Sequence, residues 1–327
     1  MTVLELHRAV RYEIDKTDSL DSVGFLPEEY DYWLNSAIIN KVKSKFSGSG
    51  VKREAFEQNQ KRIDDLRTLV KETSISTTKG SESYDISNVY KASLPSTSYW
   101  FTLAEEADIV YKTGTSSVGT SNLTVGSYYK VEDGTITHDS TNYSDGEYFK
   151  ASTTNYTESS GSPKVYLCTK KRVSINETTS DQFKFDFENP YNEYNFYNYE
   201  AKPLRLFRDN QVYLISDGNY GIANYYLTYL KKPQEISIDT ITTINSGTLY
   251  DVSENNITYN STSYTPGDTF EGVDSETSFT GSGEVRKTID LPEHTHDEIV
   301  KEAANMMLEN TENPRYQSHS IENMKSE

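Results

Sequence analysis

The chain has 327 residues, enough for two or three domains with a real core. It is acidic, with 50 Asp/Glu against 32 Lys/Arg and a net charge of −18, and only 34% of it is hydrophobic. A nucleic-acid grip needs the opposite sign and a Lys/Arg stripe, which is missing. No run of ~20 apolar residues offers a membrane span, and the N-terminal MTVLELHRAVRYEIDK does not read as a secretion signal.

Charge and aromatic content divide the chain further. Residues 1–72 carry 12 Lys/Arg and 13 Asp/Glu, so most of the negative charge falls in the middle. There are 26 Tyr against 12 Phe and 2 Trp. Tyr suits half-exposed sheets and interfaces, because its ring packs while its hydroxyl stays wet. The single cysteine, Cys168, excludes an intrachain disulfide and, within VYLCTKK, reads as a small buried hydrophobe.

In chain order, Thr2-Val-Leu-Glu5 predicts a capping box that opens helix 1, with the apolar stripe Val3, Leu6, Val10 and Ile14. Pro27, Glu28 and Glu29 open helix 2, with Tyr30, Trp33, Leu34, Ala37, Ile38, Val42 and Phe46 inward. Helix 3 is expected from about Arg53 to Lys71, burying Phe56, Ile63, Leu66, Leu69 and Val70. A last helix runs from near Pro292 to Asn310, with Ile299, Ala303, Met306 and Met307 on one side. None of these helices is stable alone, so the two chain ends are expected to form one helical domain, 1–75 with 290–327. Trp33 and Phe56 should be buried inside it.

Residues 76–289 read as a mostly antiparallel β region. Strands are expected at 86–92, 99–103, 108–112, 164–175, 204–208, 211–216, 222–231 and 285–289, with turns at Asp209-Asn210 and Asp217-Gly218. The segment FENPYNEYNFYNYE, residues 187–200, reads as an ordered aromatic loop lying on a neighbour. The fold class is therefore α+β and multidomain.

The β region contains one segment twice. YYKVEDGTITHDSTNYSDGEYFKA (128–151) reappears as LYDVSENNITYNSTSYTPGDTFEG (249–272), at a constant spacing of 121 residues. Identical pairs include Tyr129/Tyr250, Val131/Val252, Ile136/Ile257, Tyr143/Tyr264, Gly146/Gly267 and Phe149/Phe270, with Gly126/Gly247 upstream. The pattern predicts very short strands joined by tight turns, with Gly where φ > 0 is needed. Two small β modules, 124–152 and 245–285, are expected to share one backbone path. Their expected stems are 108–112 with 164–175, and 225–238 with 285–289.

Catalytic signatures are weak. His294-x-His296-Asp297 suggests a metal only in a turn, because helix positions i and i+2 point about 160° apart. Asp64-Asp65 and Glu105-Glu106 read as surface acids. There is no phosphate loop, nucleophile elbow or H-E-x-x-H. The expectation is no enzyme: no catalytic residues, no cofactor-binding residues and no metal ligands.

Two stretches carry a resemblance. Leu34-Asn35-Ser36-Ala37 followed by VKREAFEQNQKRIDDLRTLV (51–70) resembles the N-terminal region of virion proteins of crAss-like phages of Bacteroides, and the C-terminal run YYLTYLKKPQEISI (225–238) with IDLPEHTHDEIVKEAANMMLENTENPRYQ (289–317) resembles the end of the same proteins. The repeated unit with FTGSGEV (279–285) looks like β modules of such phage structural proteins. The family comprises ring-forming head-to-tail connector and tail-barrel proteins. The resemblance implies a virion subunit, assembled in the host cytoplasm, in a closed ring of about twelve copies. Its implied partners are itself, the portal and neighbouring ring or tail proteins. DNA would pass through the channel unbound, and no membrane is involved. The competing readings are a receptor- or glycan-binding tail protein and a tail-associated cell-wall hydrolase.

Overall fold

The structure is a computed structural model that describes residues 1–17, 24–47, 60–80, 88–95, 99–273 and 277–310. Three helices come first: α1 (Val3–Thr17), α2 (Pro27–Ser47) and α3 (Gln60–Leu66). Then follow β1 (Val70–Ser76), β2 (Thr78–Gly80), β3 (Val89–Ser93), β4 (Tyr99–Ser117), β5 (Tyr128–His138), β6 (Thr141–Tyr143), β7 (Tyr148–Lys150), β8 (Thr157–Ser174) and β9 (Asn176–Glu177). A short α4 (Phe183–Glu188) precedes β10 (Leu204–Arg208), β11 (Gln211–Ile215) and β12 (Tyr220–Lys231). The last strands are β13 (Thr243–Ile244), β14 (Leu249–Glu254), β15 (Ile257–Tyr259), β16 (Thr262–Tyr264), β17 (Thr269–Glu271), β18 (Thr277–Ser278), β19 (Thr280–Gly281) and β20 (Glu284–Lys287). A 3₁₀ turn at Glu293–Thr295 leads into α5 (His296–Asn310).

These elements form two compact units, Met1–Val70 with Lys232–Glu327, and Lys71–Lys231. The first holds the terminal helices, which contact one another, and also the second β module. Its division from the sheet region thus falls at 231/232, where the sequence reading placed it at 289/290. The capping box is present: Thr2 N–H donates to Glu5 Oε2 at 2.9 Å, and Glu5 N–H to Thr2 Oγ1 at 3.3 Å. The α1 stripe Val3, Leu6, Val10 and Ile14 is buried, as are Leu34, Ala37, Ile38 and Val42 of α2. Trp33 departs from expectation; it is only half-buried, with its ring edge-on to Tyr32.

Helix 3 ends earlier than its pattern predicts. It ends at Leu66, Leu69 lies in a turn and Val70 begins β1. Val70, Thr73 and Ile75 are β-branched, and Thr73 and Ile75 alternate with exposed polar neighbours, which favours strand over helix. Phe56 lies outside the described residues, as do Ile86 and the residues beyond Asn310.

Side chains of α2 hold the segment that follows β12. Asn35 receives Ile236 N–H on Oδ1 at 2.9 Å and returns Nδ2 to the Ile236 carbonyl at 3.0 Å, so its amide acts as a one-residue strand. Asp31 accepts Ile238 N–H at 2.9 Å and meets His7 Nε2 at 2.8 Å.

The second unit is built from two sheets. One runs β1-β12-β4-β8-β5-β6, with β7 on β5; the other runs β2-β3-β11-β10-β9. The registers shown are antiparallel, except that β9 lies parallel to β10. Ile109, Tyr111, Tyr220, Tyr225 and Leu227 from the first sheet meet Tyr90, Ala92, Val212 and Leu214 from the second in one buried core. This is face-to-face sheet packing. The two strands expected at 99–103 and 108–112 are one continuous strand, β4, irregularly paired along β12.

The modules share their construction. Ile136↔Tyr143 on β5/β6 matches Ile257↔Tyr264 on β15/β16, and Tyr129↔Phe149 matches Tyr250↔Phe270. Module 1 grows from β8, which pairs with β4 as expected. Module 2 departs from its expected stem: residues 225–231 belong to β12, and β14 pairs with the short β20. From the segment after β12, Ser237 and Ile241 donate to the Lys287 and Val285 carbonyls at 3.4 and 2.9 Å, and the Ile238 carbonyl accepts from Arg286 Nε at 2.7 Å.

Candidate functional site

The histidine pair of the sequence is pulled apart. His294 Nε2 meets Asp65 Oδ1 at 2.9 Å, while the buried His296 faces the Leu291 carbonyl through Nε2 at 3.1 Å and the Met1 amine through Nδ1 at 3.2 Å. No cluster of three metal-ligating side chains occurs among the described residues. Asp65 corrects the surface reading: it is 2% exposed and also pairs with Lys45 at 3.2 Å. Glu298 joins Lys41 and, at 3.3 Å, Lys61. Burial works to raise its pKa, but the Lys41 hydrogen bond and the three lysine charges outweigh it and hold it low. The cluster pins α2, α3 and α5 together.

Glu105 corrects the surface reading too. Its side chain is 4% exposed, 2.7 Å from Arg205 and hydrogen-bonded by the Tyr225 hydroxyl. Burial raises its pKa despite those partners. Period two along β4 puts Glu105 on the face of Ala107, Ile109 and Tyr111, so strand alternation is the signal that finds it. Glu106 points the other way and is half exposed, as expected.

That opposite face carries Asp108, whose carboxylate is 2% exposed. It accepts hydrogen bonds from the Tyr226 hydroxyl at 2.8 Å, Asn224 Nδ2 at 3.1 Å and Lys170 Nζ at 3.1 Å, and Arg172 pairs with it at 3.5 Å. Burial acts to raise its pKa, but these donors prevail and hold it below the ordinary range. Alongside, Glu132 bridges Lys112 at 2.7 Å and Lys130 at 3.2 Å. The basic residues of β4, β5 and β8 are thus neutralised where they stand. A carboxylate ringed by donors has little lone-pair capacity left to take a substrate proton. Cys168 is buried as expected, and burial pushes its thiol up to about 12, which keeps it unreactive.

A site open to solvent lies around the aromatic segment 183–202. Asn189 and Asn192 side chains fold it through Asx turns, accepting Tyr191 N–H at 3.0 Å and Tyr194 N–H at 3.2 Å. Tyr197 and Glu200 exchange backbone hydrogen bonds at 3.0 Å around Asn198 and Tyr199, which have φ of 51° and 63°. This is a primed two-residue turn. Phe196 anchors the segment, its ring 5.2 Å from Tyr111 and 6.0 Å from Tyr220. Tyr191 and Tyr197 are left 93% and 83% exposed. They border a cleft of about 920 Å³, whose lining includes Asn192, Phe196, Lys171 and Lys202. Its charges are paired, Lys171 with Glu200 at 3.1 Å and Lys202 with Glu193 at 2.7 Å. The sequence marks this segment as aromatic and polar but does not indicate a cleft.

No protein-family model matches the chain, and a search of curated proteins finds no match. Among solved structures, a regulatory subunit of a cAMP-independent protein kinase A from Trypanosoma brucei aligns over 66% of this chain and 85% of its own. The identity is 8% and the TM-score 0.12, a likeness that carries no argument.

Proposed function

We propose that the chain is a structural subunit of a phage virion. It forms a closed homomeric ring in the portal-proximal head-to-tail connector or tail barrel, through which DNA is packaged and ejected. The reading is supported by where the virion-like segments lie. Leu34-Asn35-Ser36-Ala37 and, from the C-terminal run, residues 232–238 and the α5 segment belong to one compact unit, and Asn35 holds Ile236 at both backbone atoms. Segments far apart in sequence thus resemble one family and also build one fold unit. The described carboxylates detailed above are buried or already paired, which favours a scaffold over a hydrolase.

A closed ring of about twelve copies uses a heterologous interface that must close on itself. Neighbours should bury well over ~1,000 Å² between them. Electron microscopy of the purified protein under virion-like salt tests the proposal. Closed rings are expected. Trimers would favour a receptor-binding tail protein instead, and monomers with a hydrolase activity lost on mutating one acid would favour the enzyme. The receptor reading has one observation of its own, the cleft beside Tyr191 and Tyr197.

A further inference from the structure

We propose that this cleft binds a neutral saccharide, stacked on the rings of Tyr191 and Tyr197. The two rings are almost wholly exposed. A ring in that position costs hydration unless something flat and apolar covers it. A pyranose does so: one face is a patch of C–H groups, drawn to the negative face of an aromatic ring. Its edge is a row of hydroxyls that need donors and acceptors. The cleft supplies Asn192 and Asn195, together with the Lys171–Glu200 and Lys202–Glu193 pairs, each able to hydrogen-bond a hydroxyl without giving up its partner.

The charge pattern selects a neutral ligand. Each lysine is matched by a carboxylate within 3.1 Å, so a phosphate or sulfate would have to displace Glu193 or Glu200. A lipid chain is disfavoured by the four charged side chains in the lining, Lys171, Glu193, Glu200 and Lys202. The volume of about 920 Å³ lies within the usual range for small-ligand clefts. The segment is already ordered by its Asx turns, its primed turn and the Phe196 anchor, so binding has little loop entropy to offset. This inference does not depend on ring formation.

The test uses the full chain and a panel of neutral oligosaccharides of glucose, mannose, galactose and N-acetylglucosamine. Binding is read by saturation-transfer NMR and calorimetry. Decaproline and a heparin oligosaccharide serve as competing probes. Tyr191→Ala and Tyr197→Ala remove rings with little contact to the rest of the protein, so the thermal midpoint should stay put. One neutral saccharide class is expected to bind, each single variant to weaken it about tenfold, and the double variant to abolish it. Tyr12→Ala, an exposed ring on α1, should leave binding unchanged. The proposal is overturned if no neutral saccharide binds at millimolar concentration. It is also overturned if the double variant binds within about twofold of the parent, or if only decaproline or heparin binds. A double variant that instead loses self-association would mean that a second copy of the chain occupies the cleft, and that too would overturn it.

Discussion

The two β modules have one internal design and two different mounts. Inside, the correspondence reaches single hydrogen bonds. The Tyr129 hydroxyl accepts Thr124 N–H at 2.8 Å, and the Tyr250 hydroxyl accepts Asn245 N–H at 2.9 Å. Ser144 N–H donates to Glu147, and Thr265 N–H to Asp268, each at 2.7 Å. Where module 1 has His138 receiving Ser152 N–H on Nε2 at 3.0 Å, module 2 has the Tyr259 hydroxyl receiving Val273 N–H at 3.0 Å. The differences sit on the outside. Tyr148, whose counterpart is Thr269, rests its ring on Gly221 of β12 and donates to the Asn219 carbonyl at 3.0 Å. Asp251, whose counterpart is Lys130, is fully buried and accepts Val3 N–H at the start of α1 at 2.8 Å. A duplicated unit keeps its hydrophobic core and turns, and one or two outward residues decide what it is attached to.

The shared core is where the comparison should break hardest. Phe149 stacks on Tyr129 and Tyr143 with centroids at 5.7 and 5.0 Å; Phe270 meets Tyr250 and Tyr264 at 5.7 and 4.7 Å. Phe149→Ala and Phe270→Ala should each cost about 3–5 kcal/mol, because each leaves a cavity inside its module's own buried cluster. Chemical denaturation of the two variants measures this. Costs differing several-fold would mean that the mounts, not the module cores, carry the stability.

The mounts come next. Asp251→Ala leaves the buried Val3 N–H without an acceptor and should cost about 1–3 kcal/mol, while Asp251→Asn keeps a carbonyl there and should cost less. Burial raises the Asp251 pKa, with Val3 N–H and the Arg286 charge acting against it. A raised carboxyl contributes fully below its unfolded value and loses that contribution as pH rises through the folded one. The parent should therefore lose stability relative to Asp251→Asn as pH climbs just above the ordinary aspartate range, a difference that denaturation at stepped pH would reveal. In module 1, Gly221→Ala places a Cβ 2.7 Å from the Tyr148 ring and should cost about 1–3 kcal/mol by overpacking. Neither substitution should alter the other module, which amide exchange can read separately.

Local features were legible in the sequence, and long-range ones were not. The Thr2–Glu5 box, the α1 stripe, most strands of the second unit and the repeat all follow from spacing within a few residues, or from identity at one fixed offset. The end of α3 was misplaced because Leu66, Leu69 and Val70 fit a helical stripe, while the β-branched residues that override it, Val70, Thr73 and Ile75, begin only at its last position. Asp65 and Glu105 looked like surface acids because their cations, Lys45 and Arg205, lie 20 and 100 residues away. The placement of module 2 with the helices rests on contacts such as Asp251 to Val3 and Gln234 to Leu249, the latter at 2.7 and 2.8 Å in the two directions. Spacing along the chain holds no trace of such pairs. The aromatic segment was visible as a composition, but its cleft depends on Phe196 finding Tyr111 and Tyr220.

The turn glycines offer the smallest effect and the most stringent match. Gly146 and Gly267 sit at the same bend with φ of 79° and 93°, and nothing lies within 4 Å of where a Cβ would stand. Sterics with neighbours are therefore absent in both, and the whole cost of alanine is the left-handed backbone. For an L-residue that is roughly 1–2 kcal/mol. Gly146→Ala and Gly267→Ala should lower stability by that amount, equally within error, because the hydrogen bonds each bend makes are also matched: Gly146 N–H to Val131 O at 2.9 Å, and Gly267 N–H to Val252 O at 2.8 Å. A double variant should show the sum, since the two bends belong to separate compact units and share no partner. An unequal pair, seen by denaturation under identical conditions, would show that the mounts reach into the turns and that the modules are less autonomous than their matched geometry implies.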